Sequence, residues 1–338
     1  MASSPSFSGE GRDFFVTQTE CNPFVNSDSN KRYYTYDYYL RRTFGGKCAK
    51  LPLDGGFTCP NIDGTCGSGG CIYCSSRGSG DFAPRPTLPI AEQIREQKRF
   101  LSHKWDTSRC IAYFQAHTNT YAPLSVLREQ FEEALGQEGI VGLNIATRAD
   151  CLAPDVVEYL AELAKRTVLT VELGLQSSKD ETARHINRGH TFAEFCEGFL
   201  ALRQASRDIG ICVHVILGLP GEEDADMMKT MRDVARLHPD QVKIHLLHVL
   251  RGTALCEMYE RGEYVPLERE RYIRLVADAL EILPPDTVIG RLTGDGRAEE
   301  LLAPLWSLRK TTVINDVDKL LYRRQSYQGR LFSDAEKA

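Results

Sequence analysis

No apolar run in this 338-residue chain approaches the length needed to span a bilayer, which removes the helical membrane proteins. The first eleven residues are Ser-rich without an apolar core, so no secretory leader is expected. A strong basic excess is missing too. The net charge of −5 does not announce a nucleic-acid binder, though it leaves room for a local basic face. The eleven cysteines are odd in number and mostly scattered. That pattern argues against a disulfide framework and for a reducing compartment, so a cytoplasmic protein is expected. What is present in ordinary measure is apolar content, 42%, enough for a full core in one large domain or two small ones.

One stretch, 55–81, lacks apolar periodicity and yet holds Cys59, Cys66, Cys71 and Cys74. These thiols are not packing a helix or strand. Gly64, Gly67, Gly69 and Gly70 let the backbone close around a compact object. A thiol cluster in a Gly-rich loop reads as a metal site. Four thiolates would suit a closed structural zinc site. Three thiolates, Cys59 with the Cys71-x2-Cys74 pair, would leave one iron of a [4Fe–4S] cluster open. The loop alone leaves both readings standing.

Before it, the segment 31–50 interleaves Lys31, Arg32, Arg41, Arg42, Lys47 and Lys50 with Tyr33, Tyr34, Tyr36, Tyr38 and Tyr39. That composition suits phosphates and stacked bases, or a solvated helix whose tyrosines cover the edge of the fold. After the loop the pattern becomes a beat. Helices are expected at 90–105, 123–136, 154–166, 192–208 and 223–237. Strands are expected at 110–115, 141–146, 168–175, 211–217 and 241–249, with a first strand at 49–53. Single helices between strands imply right-handed βαβ units and a parallel sheet. Six strands are too few for a closed barrel, so the expected fold is α/β, a partial (β/α)6 TIM-like barrel. It would occupy 49–250, between an N-terminal extension at 1–48 and a C-terminal helical and loop extension at 251–338; residues 1–30 should be partly disordered.

Alternation sharpens this. Thr170, Glu172, Gly174 and Gln176 share one strand face, His214 and Gly218 another, Lys243 and His245 a third. A strand between two helix layers should be apolar on both faces. Three strands with a polar face imply a lumen that holds a polar ligand, built at the strand C-terminal ends.

The motifs resemble those of the radical S-adenosylmethionine (SAM) superfamily. The usual Cys-x3-Cys-x2-Cys is replaced here by Cys59-x11-Cys71-x2-Cys74, a long gap typical of the branch with the Elongator catalytic subunit and the YhcC/YtqA-type proteins. The likeness runs on through Tyr113 to Pro123, Thr147 to Leu152, Glu172 to Ser177, Asn187 to His190, His214 to Glu222, Lys243 to Val249 and Arg291 to Gly296. It implies a [4Fe–4S] cluster on Cys59, Cys71 and Cys74, with Cys66 spare. The cluster would cleave SAM to a 5′-deoxyadenosyl radical, fed by a one-electron donor such as flavodoxin or ferredoxin.

Further roles follow from the resemblance. Tyr73 would lie near the adenine, with His214, Gly218 and Gly221 lining that side. The Gly-Gly-Glu that often holds the SAM amine is absent; Gln115, Thr118 and Asn119 occupy its place. Glu172 and Gln176 would reach the ribose and amine, and Arg148 the SAM carboxylate. Lys243, His245 and His248 would face the substrate as catalytic residues. The Elongator likeness implies tRNA as partner and the C5 side chain of its wobble uridine as target. The basic segment 31–50 and the cations Arg309, Lys310, Lys319, Arg323, Arg324 and Arg330 would be two arms on the RNA. The chain is expected to be too short for the acetyltransferase domain of the Elongator subunit. Two alternatives remain: a radical SAM enzyme acting on a small metabolite, and a non-catalytic zinc-binding RNA module.

Overall fold

The computed structural model describes residues 22–333, apart from Ser79, Asp81, Asp295 and Gly296. Most of the N-terminal stretch expected to be partly disordered, residues 1–21, lies outside the described residues.

Helix α1 (Tyr36–Phe44) starts where the Thr35 hydroxyl accepts from the Tyr38 N–H and stops at Gly45, whose φ of 70° few other residues adopt. It leads into β1 (Ala49–Leu53) and the cysteine loop. Then come α2 (Ile90–Leu101), β2 (Cys110–Phe114), α3 (Leu124–Leu135), β3 (Ile140–Thr147), α4 (Pro154–Ala164) and β4 (Val168–Gln176). The chain continues through α5 (Asp180–His185), α6 (Phe192–Ala205), β5 (Gly210–Leu217), α7 (Asp224–Leu237) and β6 (Gln241–Leu246). The remainder is β7 (Val249–Leu250), α8 (Ala254–Glu260), α9 (Arg269–Ile282), β8 (Val288–Arg291), β9 (Leu301–Ala303) and α10 (Lys310–Arg323).

The main sheet is parallel throughout, in the order β1-β2-β3-β4-β5-β6-β8, so the βαβ beat yields a half-barrel. Outward residues of neighbouring strands, Val171, Leu173, Val213, Val215, Val242 and Ile244, are fully buried. Helix side chains cover them, among them Phe131, Leu160, Phe195, Met231 and Val276. Each such side chain contributes roughly 1.5–3 kcal/mol by leaving water.

The seventh strand, β8, departs from the expected six. Its four residues, Val-Ile-Gly-Arg, are too short for a periodic signal, and two helices rather than one precede it. It draws part of the C-terminal extension into the barrel. Its outer edge is not left open: the Ile289 N–H donates to the Tyr34 carbonyl at 2.8 Å, and Thr35 bridges to Ile289.

The two basic segments expected as separate arms lie side by side. The N-terminal segment and α10 pack on each other. Lys31 pairs with Asp318, buried Arg32 lies over the Tyr322 ring, and the Gln328 N–H donates to the Arg32 carbonyl. Arg41 is tied to Asp28 and Asp37, Arg324 to Asp278 and Glu281, and Lys319 to Asp316. Tyr33 is core. Lys31, Arg32 and Arg324 tie the two segments to each other and to α9, while Arg41 and Lys319 pair within their own segments.

Candidate active site in the half-barrel

Four neighbouring strands and β1 converge on one carboxylate. Glu172, from β4, is 1% exposed. It accepts from Tyr113 Oη at 2.7 Å, Asn144 Nδ2 at 2.8 Å, His214 Nε2 at 2.9 Å and Lys50 Nζ at 3.3 Å, and it pairs with Lys243. Burial alone would push this carboxyl up. Lys243, Lys50 and the His214 hydrogen bond outweigh it and hold Glu172 well below the carboxylate range. Burial brings Lys243 down to about 8 despite Glu172. Burial, aided by Lys243, takes His214 to about 4, so its ring is neutral at pH 7. Glu172, Cys212 and His214 offer ligand atoms within 4.8 Å of one another, yet two ammonium groups already occupy the carboxylate, which disfavours a cation there.

Above this hub lies a cavity of about 400 Å³, within the usual range for a small-molecule site. Of the residues expected at the site, Tyr73, Cys74, Gln115, Glu172, Gln176, His214, Lys243, His245 and His248 line it. Gln176 has a φ of 74°, unusual without glycine, at a bulge between β4 and β5 that re-aims the chain at the cavity. The Nε2 atoms of His245 and His248 are buried and have no partner among the described residues. Burial, with His214 beside it, holds His245 well below its ordinary value, and burial takes His248 to about 4.

Thr118, Asn119, Arg148, Gly218 and Gly221 are not brought to the cavity. Arg148 is spent on Asp150, through Nε at 2.9 Å and Nη2 at 2.7 Å, and on the Arg188 carbonyl at 2.8 Å. Asn119 donates to the Ala146 carbonyl at 2.7 Å, and the Tyr264 hydroxyl covers the Gly218 carbonyl at 2.8 Å. An added Cβ at Gly221 would lie 3.7 Å from the His185 ring, in the turn before α7.

The cysteine loop is fastened from the far side of the chain. Asn187, at φ 54°, donates to the carbonyls of Gly70 at 2.7 Å and Ser68 at 3.0 Å; Asn61 Nδ2 donates back to the Asn187 carbonyl. Asn61 also faces Cys71 Sγ at 3.8 Å. Cys59, Cys71 and Cys74 are half-buried, whereas Cys66 is exposed. Among the described residues these thiols do not form a group within 4.8 Å. A single tetrahedral zinc would hold its sulfurs about 3.8 Å apart.

Sequence reasoning gave no role to Tyr113, Asn144 or Arg188 and placed Lys50 on the surface. Lys50 instead points inward between the rings of Tyr36 and Tyr113, at 4.7 and 4.6 Å. Its being the lone charge in β1 was the available signal, as was Asn144 amid the apolar residues of β3.

Comparison with known proteins decides the family. The model of the Radical SAM superfamily matches residues 63–234, and that of the radical SAM C-terminal domain matches 239–323. The chain belongs to the radical SAM superfamily. Its cofactors are therefore a [4Fe–4S] cluster and SAM, and the zinc-module reading of the loop falls away. Cys59 lies four residues before the matched region. Among its relatives, YtqA of Bacillus subtilis is 48% identical over 94% of this chain and 98% of its own length. Protein YhcC of Escherichia coli is 37% identical over 83% and 90%. Elongator complex protein 3 of Schizosaccharomyces pombe is 29% identical over 70% of this chain and 50% of its own. In fold, the archaeal Elp3 of Methanocaldococcus infernus superposes with a TM-score of 0.64 at 19% identity, covering 83% of this chain and 64% of that one. Among the described residues no helix is long and apolar enough to cross a membrane.

The residues present suit this cofactor pair. Three half-buried thiols sit in one Gly-rich loop, of which Cys74 reaches the cavity, and polar atoms of His245, His248 and Arg188 that have no partner among the described residues line it too.

Proposed function

We propose that this radical SAM enzyme modifies the C5 side chain of the wobble uridine of tRNA. Cys59, Cys71 and Cys74 would hold the cluster, with Tyr73, Gln115 and Gln176 around SAM. When bound, the pair supplies hydrogen-atom abstraction by the deoxyadenosyl group of SAM. His245 and His248 would face the substrate and hydrogen-bond its polar edge through their open Nε2 atoms. The Glu172 hub orients Lys243 and His214 and keeps the floor dry. A one-electron donor of the flavodoxin or ferredoxin kind would serve it in the cytoplasm, where a chain with ten free described cysteines is stable.

The observation that carries a nucleobase substrate is Phe82. Its ring lines the cavity and is 49% exposed, in place to stack one unstacked base while the side chain of that base enters. The Elongator likeness supports tRNA as its source. The test is mass spectrometry of tRNA nucleosides from a deletion strain. A changed wobble uridine, restored by the wild-type gene and not by Cys74→Ala, is expected; an unchanged wobble profile defeats the proposal. The internal pairing of Lys31, Arg32 and Arg41 favours the second reading, a small-metabolite substrate. Salt-insensitive, negligible tRNA binding would select it.

A further inference from the structure

Lys50 stands between two cavities. With Tyr113, Lys243 and Arg291 it lines the one described above, and the same four residues line a second, of about 410 Å³. β1 gives Pro52 to the first cavity and Ala49 to the second; the chain at β8 gives Gly294 to the first and Gly290 to the second. The second cavity therefore lies towards the N-terminal ends of the two outermost strands of the parallel sheet, away from the cysteine loop, whose Cys74 lines only the first. Helix α1 walls it with Tyr36 and Leu40, and the turn after α2 with Trp105.

Two features of this lining point to a ligand. The first is charge. Asp37, the carboxylate among the lining residues, accepts from Arg41 Nε at 2.9 Å, while Lys50 and Lys243 share Glu172 behind the wall. Lys47 is exposed and forms no ion pair among the described residues. Lys50 meets Glu172 at 3.3 Å, a longer contact than those from Tyr113, Asn144 and His214, and its side chain is 23% exposed against 7% for Lys243. It is the ammonium that an incoming anion can reach. The second feature is an aromatic wall. Trp105 lines the cavity and is still 49% exposed, and the Tyr36 and Tyr113 rings flank Lys50. Aromatic walls with a few placed charges, at this volume, are the usual make-up of a small-molecule site.

We propose that the second cavity is a binding site in its own right for a small planar anion: an aromatic ring on Trp105, bearing a phosphate or carboxylate that meets Lys47 and Lys50. Charge sets the sign of the ligand, since a cation here would face two ammonium groups that already share one carboxylate. The indole sets its shape, offering a flat apolar face with its own rotamer freedom small. The site is separate from the wobble-uridine reading, because neither Trp105 nor Lys47 lines the cavity in which that reading places SAM and substrate.

Calorimetry on reconstituted full-length protein tests this, with SAM at saturation so that the first cavity is filled. The probes are adenosine monophosphate and benzoate; inorganic phosphate and acetate are their ring-free controls. One ringed probe per chain is expected to bind, about tenfold tighter than its control, the worth of one stacking contact. Binding of either probe supports the proposal, and the tighter of the two names the anionic group. Trp105→Ala should bring the ringed probe to the level of its control, and Lys47→Gln should weaken probe and control alike by about tenfold, the worth of one charged hydrogen bond. Both side chains are exposed, so both variants should keep the Tm of the parent, and Trp105→Phe, which retains a flat ring, should restore most of the affinity. Absence of saturable binding by both ringed probes overturns the proposal. Binding that survives Trp105→Ala and Lys47→Gln unchanged overturns it too, since the probe then sits elsewhere.

Discussion

Tyr113 Oη donates to Glu172 Oε2 at 2.7 Å, joining β2 to β4 across the inside of the sheet. Around that bond Lys50, Lys243, Asn144 and His214 complete a set in which one carboxylate answers two ammonium groups. Glu172→Gln removes the carboxylate that, among the described residues, is the only one bonded to buried Lys243. The cluster-free protein should lose about 3–5 kcal/mol of stability in urea denaturation, the usual cost of stranding a buried charge. Tyr113→Phe, which removes one neutral donor, should cost about 1 kcal/mol. Equal, small effects from both would show that the hub contributes little to the fold.

The buried imidazoles set an acid limit. His190, His214 and His248 all sit near 4 in the folded chain, burial being the first cause for each, against about 6.5 unfolded. Between these values the unfolded chain binds more protons, so stability rises with pH. It is fully present above about 6.5 and is lost as pH falls towards 4, at up to about 1.4 kcal/mol per pH unit for each histidine. Glu172, whose carboxyl is held down, adds a loss in the same direction at still lower pH. Urea midpoints of the cluster-free protein from pH 7 to pH 4.5 should follow this slope, and His248→Gln should flatten it by about one proton. A flat profile for the parent protein would mean that these rings are protonated in the fold.

Much of this was legible in the chain because two signals agreed. Residue alternation put Glu172, His214 and Lys243 on one face, and helix-spaced strands put that face inside a half-barrel. Single charges in apolar strands were less legible. Lys50 follows Lys47 and Arg42 in a segment that reads as basic surface, and only the fold shows it turning in towards Glu172. Arg148 misled for the converse reason. Its place after β3 fits a ligand contact, but Asp150, two residues on, captures both ends of its guanidinium. β8 escaped because four residues carry too little periodicity, and Arg188 because loop position encodes no direction.

The loop cysteines divide three against one. Cys59, Cys71 and Cys74 are half-buried and Cys66 is exposed, so alanine at each of the first three should leave the anaerobically reconstituted protein short of about four irons and unable to cleave SAM to 5′-deoxyadenosine. Cys66→Ala should keep its iron content, its brown colour and its SAM cleavage. Loss of iron in Cys66→Ala alongside full loading of any one of the other three variants would reassign the ligands.

Phe82 separates the two substrate readings. An exposed ring beside the cavity contributes little to folding, so Phe82→Ala should leave thermal stability, iron content and SAM affinity near those of the parent. If a base stacks on it, tRNA should bind about tenfold more weakly, because base–aromatic stacking is worth roughly 1–3 kcal/mol. The loss should fall mainly on KM, since stacking holds the base without entering the chemistry, and Phe82→Tyr should restore it. Because stacking carries no charge, the slope of affinity against salt should stay unchanged. A Phe82→Ala protein that binds tRNA as the parent does would leave the exposed ring without a base to hold, and the small-metabolite reading would then account for the cavity.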